Sequence, residues 1–162
     1  MLNQLYLKMI DYYSGDPKRI QHFAKVHSFA KLIGECEELS ADEMTVLKAA
    51  ALVHDIGIKP AEAQYGECGG KLQEQLGQEP AEKLLREVGF DKNVIARVKY
   101  LVGHHHTYAN IDGMDYQILV EADFLVNLYE DGCSNTAIAA ARNGIFKTKT
   151  GKSLLDTMFA KI

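Results

Sequence analysis

The sequence predicts an all-α protein, a compact bundle of about six or seven helices. Three observations carry that expectation. Apolar residues recur at spacings of three and four, helix-capping residues punctuate them, and no stretch alternates with period two. Three prolines among 162 residues are also few for a turn-rich β-sandwich. The length suits one domain spanning 1–162, able to bury a core without disulfides.

The elements follow in order. Residues 3–13 form a first apolar-rich helix. Asp16 reads as an N-cap with Pro17 at the first helical position, opening a helix that runs to about Leu39. Along it His22, Val26, Phe29 and Ile33 fall on one line, so His22 faces the apolar side. Ser40 and Glu43 form a capping box. The helix they open (MTVLKAAALVHDIG) is apolar nearly all round, is expected to be central and buried, and stops at Gly57. Residues 58–70 read as a loop with about one helical turn. Residues 71–88 are amphipathic, with a break expected between Gly77 and Pro80. Phe90-Asp91 starts a helix that carries Val94, Ile95, Val98 and Leu101 and ends near His104, His105 and His106. A turn over Asn110 to Gly113 leads into a strongly apolar helix, 115–130. The remainder, 134–162, reads as a C-terminal helical extension: a short helix, the polar loop FKTKTGKS and a last helix.

Composition narrows the function classes. The formal net charge of -4 disfavours binding to nucleic-acid polymers, which needs a positive field. No apolar run approaches the roughly 18 residues of a membrane span. The N-terminal residues are too polar and aromatic for a secretory signal. Cys36, Cys68 and Cys133 are odd in number and scattered, as expected of reduced thiols in a cytoplasmic protein.

Asp123 lies inside LVEADFLVNL, in line with Leu119 and Val126, where an uncompensated carboxylate is costly. A buried ion pair or a cap contact would answer for it alone, and its neighbour Glu121 reads as a solvent-facing charge. His54 and Asp55 end the most hydrophobic helix. An HD dipeptide is frequent by chance, and a single histidine such as His22 is more often a hydrogen-bonded core residue. The coincidence is what counts: three helices each put a His or Asp on a face that should be dry. Two imidazoles and two carboxylates form a ligand set for a divalent transition metal, and a metal would remove the desolvation problem of both acids.

The ordered set His22, His54-Asp55, Asp123 resembles the HD superfamily of metal-dependent phosphohydrolases. Similar too are KRIQH opening a helix, ALVHDIG closing one and EAD near the end, so the resemblance covers about residues 16–130. It implies an all-α, HD-domain-like fold and one metal held by His22, His54, Asp55 and Asp123, with a bound water as nucleophile. The N/O donors suit Mn, Fe, Co, Ni or Zn. Some members of the family hold a second metal through further histidines. Here His104 and His105 both follow the Leu101 line and are not separated by spacing, while His106 ranks below them. Residues 66–82 contain no histidine, so Glu74 or Gln75 stands in its place or the second site is missing. The three histidines can also be read as an exposed helix end, where positive charge suits the dipole.

The expected activity is hydrolysis of a phosphoric ester or anhydride in a small molecule, a nucleotide being favoured. Asp55 would ligate the metal and orient the water. Lys59, Arg19 and Lys147 are candidate phosphate cations, each also readable as a solvated side chain, which for the run holding Lys147 is the commoner case. Residues 142–162 carry Arg142, Lys147, Lys149, Lys152 and Lys161 against Asp156, and FKTKTGKS could close over the site mouth. Tyr65, Tyr100 and Tyr108 could stack on a base or simply pack. Two rivals stand beside this reading: a di-iron oxygenase, and a non-catalytic metal- or nucleotide-binding sensor. A second copy of the chain is a further candidate partner.

Overall fold

The computed structural model describes residues 1–160, so Lys161, counted above among the tail cations, lies outside the described residues. Among those residues there are nine helices and no strand, which corrects the expected six or seven. They are α1 (Leu2–Tyr12), α2 (Pro17–Cys36), α3 (Ala41–Ala51), α4 (Ile58–Tyr65), α5 (Gly70–Val88), α6 (Lys92–Val102), α7 (Met114–Glu130), α8 (Asn135–Gly144) and α9 (Lys149–Met158). Two caps are those the sequence signals: Asp16 accepts from the Arg19 amide, and Ser40 and Glu43 close their box. Asp91 also caps its helix, accepting from the Asn93 amide.

Two departures from expectation shape the site. α3 ends at Ala51 rather than running to Gly57, and residues 52–57 form successive tight turns. Val53 N donates to Ala50 O at 3.0 Å, Ile56 N to Val53 O at 3.1 Å and Ile58 N to Asp55 O at 3.0 Å. His54 and Asp55 therefore lie in a corner between α3 and α4, and α4 occupies what read as loop. α5 runs unbroken through Pro80. Proline removes one ladder bond there. The helix persists because its apolar stripe, Ala81, Leu84 and Leu85, is buried in the core.

α7 lies against α2 and α3 in the centre of the bundle, and α5 packs on α6 and α4. One apolar cluster draws on every helix except α4. The closest approach of backbones occurs where the corner meets α5. A Cβ on Gly57 would strike the Gln73 carbonyl and stand 2.8 Å from the Gly77 amide. No described helix is long and apolar enough to cross a membrane.

Glu121 corrects another expectation. It is fully buried, not solvent-facing, and receives hydrogen bonds from Gln117 Nε2 (2.8 Å), the Lys147 amide (2.6 Å), the Thr148 amide (2.9 Å) and the Thr148 hydroxyl. The loop before α9 is thereby tied to the middle of α7. It folds onto this clasp and not over the site mouth. The Lys147 side chain is exposed and does not line the cavity described below.

Candidate metal centre

The site is assembled from three stretches of chain: α2, the corner after α3, and α7. His22, His54, Asp55 and Asp123 are all buried, and each offers a ligand atom within 4.8 Å of the others. His22 Nε2 lies 3.2 Å from His54 Nε2, 3.3 Å from Asp123 Oδ1 and 3.4 Å from Asp55 Oδ2. His54 Nε2 is 3.5 Å from Asp123 Oδ1 and 3.6 Å from Asp55 Oδ2.

The protonation pattern shows that a cation fits. His54 donates from Nδ1 to the Ala51 carbonyl at 3.0 Å, and His22 donates from Nδ1 to Glu130 Oε2 at 2.9 Å, since both partners can only accept. A neutral ring then presents a bare Nε2 lone pair to the cluster. Two such lone pairs and two carboxylates converging on one buried point form a donor set that lacks only a positive charge. Without a metal, protons have to supply it. Burial opposes charge on His22, but the hydrogen bond to Asp123 and the charges of Asp55 and Asp123 outweigh it and push its pKa up to about 9. Burial likewise favours neutral acids. His22 and His54 nevertheless hold the Asp123 carboxyl well below the usual range, and the charge of His54 with the hydrogen bond from His105 does the same for Asp55.

A second group adjoins the first. Asp55, His105 and His106 also bring ligand atoms within 4.8 Å of one another. His105 is buried, and its Nε2 is 2.9 Å from Asp55 Oδ1. His106 Nε2 donates to Gln73 Oε1 at 2.9 Å and lies 3.7 Å from Asp55 Oδ1. Of the second-metal candidates, His105 belongs to this group and two others do not. His104 turns away, donating to the Tyr100 carbonyl at 2.7 Å and stacking on that ring at 4.2 Å. Glu74 accepts from the His106 amide and the Thr107 hydroxyl, each at 3.0 Å, so it caps the loop after α6. Gln73, rather than Glu74 or Gln75, lies beside this group, its Oε1 accepting from His106 and its Nε2 donating to the Cys68 carbonyl at 2.7 Å.

His22 and Asp55 open onto a cavity of about 580 Å³, whose lining includes Lys18, Arg19, Gln73, His106, Tyr108 and Phe124. Arg19 reaches it while bridging Asp16 (2.9 Å) and Glu62 (2.5 Å). Lys59 does not reach it. Its ammonium donates to the Tyr12 carbonyl at 2.7 Å and lies 4.9 Å above that ring, because α4 turns its start toward α1. Of the three tyrosines, Tyr108 lines the cavity, Tyr100 stacks on His104 and Tyr65 is exposed. Cys68 and Cys133 also line it, and all three cysteines are free.

Lys18, Gln73, Asn127 and Glu130 stand at the site without being among its sequence candidates, Lys18 appearing there only within KRIQH. Asn127 donates to Asp123 Oδ1 at 2.9 Å. Asn127 and Glu130 follow Asp123 by four and seven residues, a helical spacing that could have marked both. Nothing in the sequence marks Gln73.

An all-helical fold that gathers H…HD…D from three segments around one buried point defines a helical domain with a donor set that could hold a metal ion. Residues 19–141 match the family model described as HD domain, and the chain belongs to that family. A solved structure described as a predicted HD superfamily hydrolase, from an uncultured Thermotogales bacterium, is similar with a TM-score of 0.70 and 26% identity, over 98% of this chain and 85% of that one. No curated protein matches the chain.

Proposed function

We propose that the chain is a metal-dependent phosphohydrolase acting on a small phosphorylated molecule, with nucleotides the favoured class. One observation carries the reading: the buried His/Asp cluster opens onto a cavity of ligand size that also holds cations and an aromatic wall. A divalent ion held by His22, His54, Asp55 and Asp123 would supply a water of lowered pKa and positive charge beside a phosphoryl oxygen. Asp55 would ligate the ion and orient that water, a role supported by His105 fixing its Oδ1 while Oδ2 faces His22 and His54. Lys18 and Arg19 attract the phosphate. Arg19 is anchored by two carboxylates, whereas Lys18 has no ion-pair partner among the described residues and can follow the ligand. Tyr108 and Phe124, with ring centroids 5.2 Å apart, offer the apolar surface for a base.

Metal analysis of the purified protein, followed by a phosphate-release screen over nucleotides with Mn²⁺, Co²⁺ or Mg²⁺, tests the reading. Release by the wild type and its loss in Asp55→Ala are expected. Bound metal with no release from any substrate would replace the hydrolase by a sensor. The Asp55, His105, His106 group favours one second reading, a dinuclear oxygenase, although the neutral amide of Gln73 weakens that site. Two irons per chain with oxygen consumption would establish it.

A further inference from the structure

We propose that Glu130 is the positioning residue that fixes the tautomer and orientation of His22 for metal binding, an assignment that rests on the metal-centre reading above. The three buried imidazoles are not held alike. His54 and His105 each donate from Nδ1 to a carbonyl three residues back, Ala51 at 3.0 Å and Val102 at 2.9 Å. Both follow the end of a helix, where such carbonyls are free. His22 is inside α2, where the preceding carbonyls are taken by the helix ladder, so its Nδ1 needs a partner from elsewhere.

That partner is Glu130 Oε2 at 2.9 Å, 108 residues away in sequence. The carboxylate is held at its other oxygen too, where Lys25 Nζ contacts Oε1 at 2.5 Å. Lys25 follows His22 by three on the same helix, so α2 and α7 share the clamp. The Glu130 side chain is only 15% exposed, which makes it more than a surface ion pair. With the Nδ1 proton committed to Glu130, His22 can offer only Nε2 to Asp55, Asp123 and His54. Asp123 and Glu130 lie two turns apart on one face of α7, so a single rigid helix sets both a ligand and the orientation of its neighbour.

Chelator-competition titration with Zn²⁺, combined with ¹⁵N NMR of the imidazoles in the Zn²⁺-loaded protein, tests the assignment. Glu130→Ala should weaken Zn²⁺ binding about 10- to 100-fold and lose the single Nδ1–H tautomer of His22. Glu130→Gln keeps an acceptor and should fall between, which also serves if the alanine variant fails to fold. A lower melting temperature with Zn²⁺ affinity and tautomer unchanged means a merely structural residue and overturns the proposal. His54→Ala separates the two levels. Binding abolished by His54→Ala but untouched by Glu130→Ala sinks only the Glu130 assignment, and no Zn²⁺ binding by the wild type sinks the metal centre with it.

Discussion

The Tyr13 hydroxyl donates to the Asp55 carbonyl at 3.0 Å across 42 residues of sequence. Tyr13 is buried, its ring 5.3 Å from Phe23, and Phe23 lies 5.2 Å from the His54 ring. The C-terminus of α1 thus braces the corner that carries two candidate ligands. Tyr13→Phe removes one of the two donors to that carbonyl, which keeps the Ile58 amide. It should cost about 0.5–1.5 kcal/mol of stability, the net worth of one hydrogen bond, measured by urea unfolding of the metal-free protein. An unchanged midpoint would show that the brace contributes nothing.

Gly57→Ala should destabilise by about 1–3 kcal/mol, because the added methyl meets the α5 backbone rather than a movable side chain. Thermal melting checks this. The same change at Gly144, where a Cβ meets nothing, is the control expected to leave the melt almost unmoved.

Metal binding and metal-free stability should respond to pH with opposite signs. The His22 pKa is raised to about 9 in the metal-free fold. Its contribution to stability is therefore full below the unfolded value of roughly 6.5 and is lost as pH rises through about 9. A metal has to displace that proton, so apparent affinity should rise about tenfold per pH unit across the same window. Calorimetric titration with Zn²⁺ in buffers of different ionisation enthalpy should show proton release at pH 7.5. No proton release would contradict the assignment of His22 as a ligand.

Thr148→Val should lower stability by about 1–3 kcal/mol, since it removes one of the donors that hold the buried Glu121 carboxylate. Hydrogen exchange should quicken in α9, because Thr148 also caps that helix. Zn²⁺ affinity should stay within twofold of wild type, roughly the scatter expected of sites without shared partners. A larger loss would mean that the tail clasp and the metal centre are coupled.

Lys18→Ala should raise KM for a phosphorylated substrate about fivefold, the worth of an exposed ion pair near 1 kcal/mol. Lys59→Ala should leave KM unchanged, because that ammonium is spent on Tyr12. Steady-state kinetics on the substrate found by the release screen decides it, and the reverse ranking would return the phosphate role to the start of α4.

Much of this site is legible in the sequence because its ligands are anomalies. A His or Asp where an apolar face should be dry is weak evidence alone, and His22, His54, Asp55 and Asp123 stand out because three segments show it together. Lys59 and Lys147 carried no such mark. A lysine near a motif can point anywhere its long chain allows, and here one turns to Tyr12 and the other to solvent. Glu121 was misjudged for a related reason. Three of its four donors come from 26 and 27 residues further along the chain, so no local pattern shows them.

The sequence alone pointed to the helical class, the Asp16 and Ser40–Glu43 caps and the four residues His22, His54, Asp55 and Asp123, because periodicity, capping and desolvation are local properties of a segment. Tertiary structure decided which histidine of 104–106 faces the centre, that Gln73 rather than Glu74 joins it, that Glu130 holds His22, and that the tail closes on Glu121. Each of those depends on how two helices are set against each other, and a rotation of one residue about a helix axis turns a side chain by about 100°.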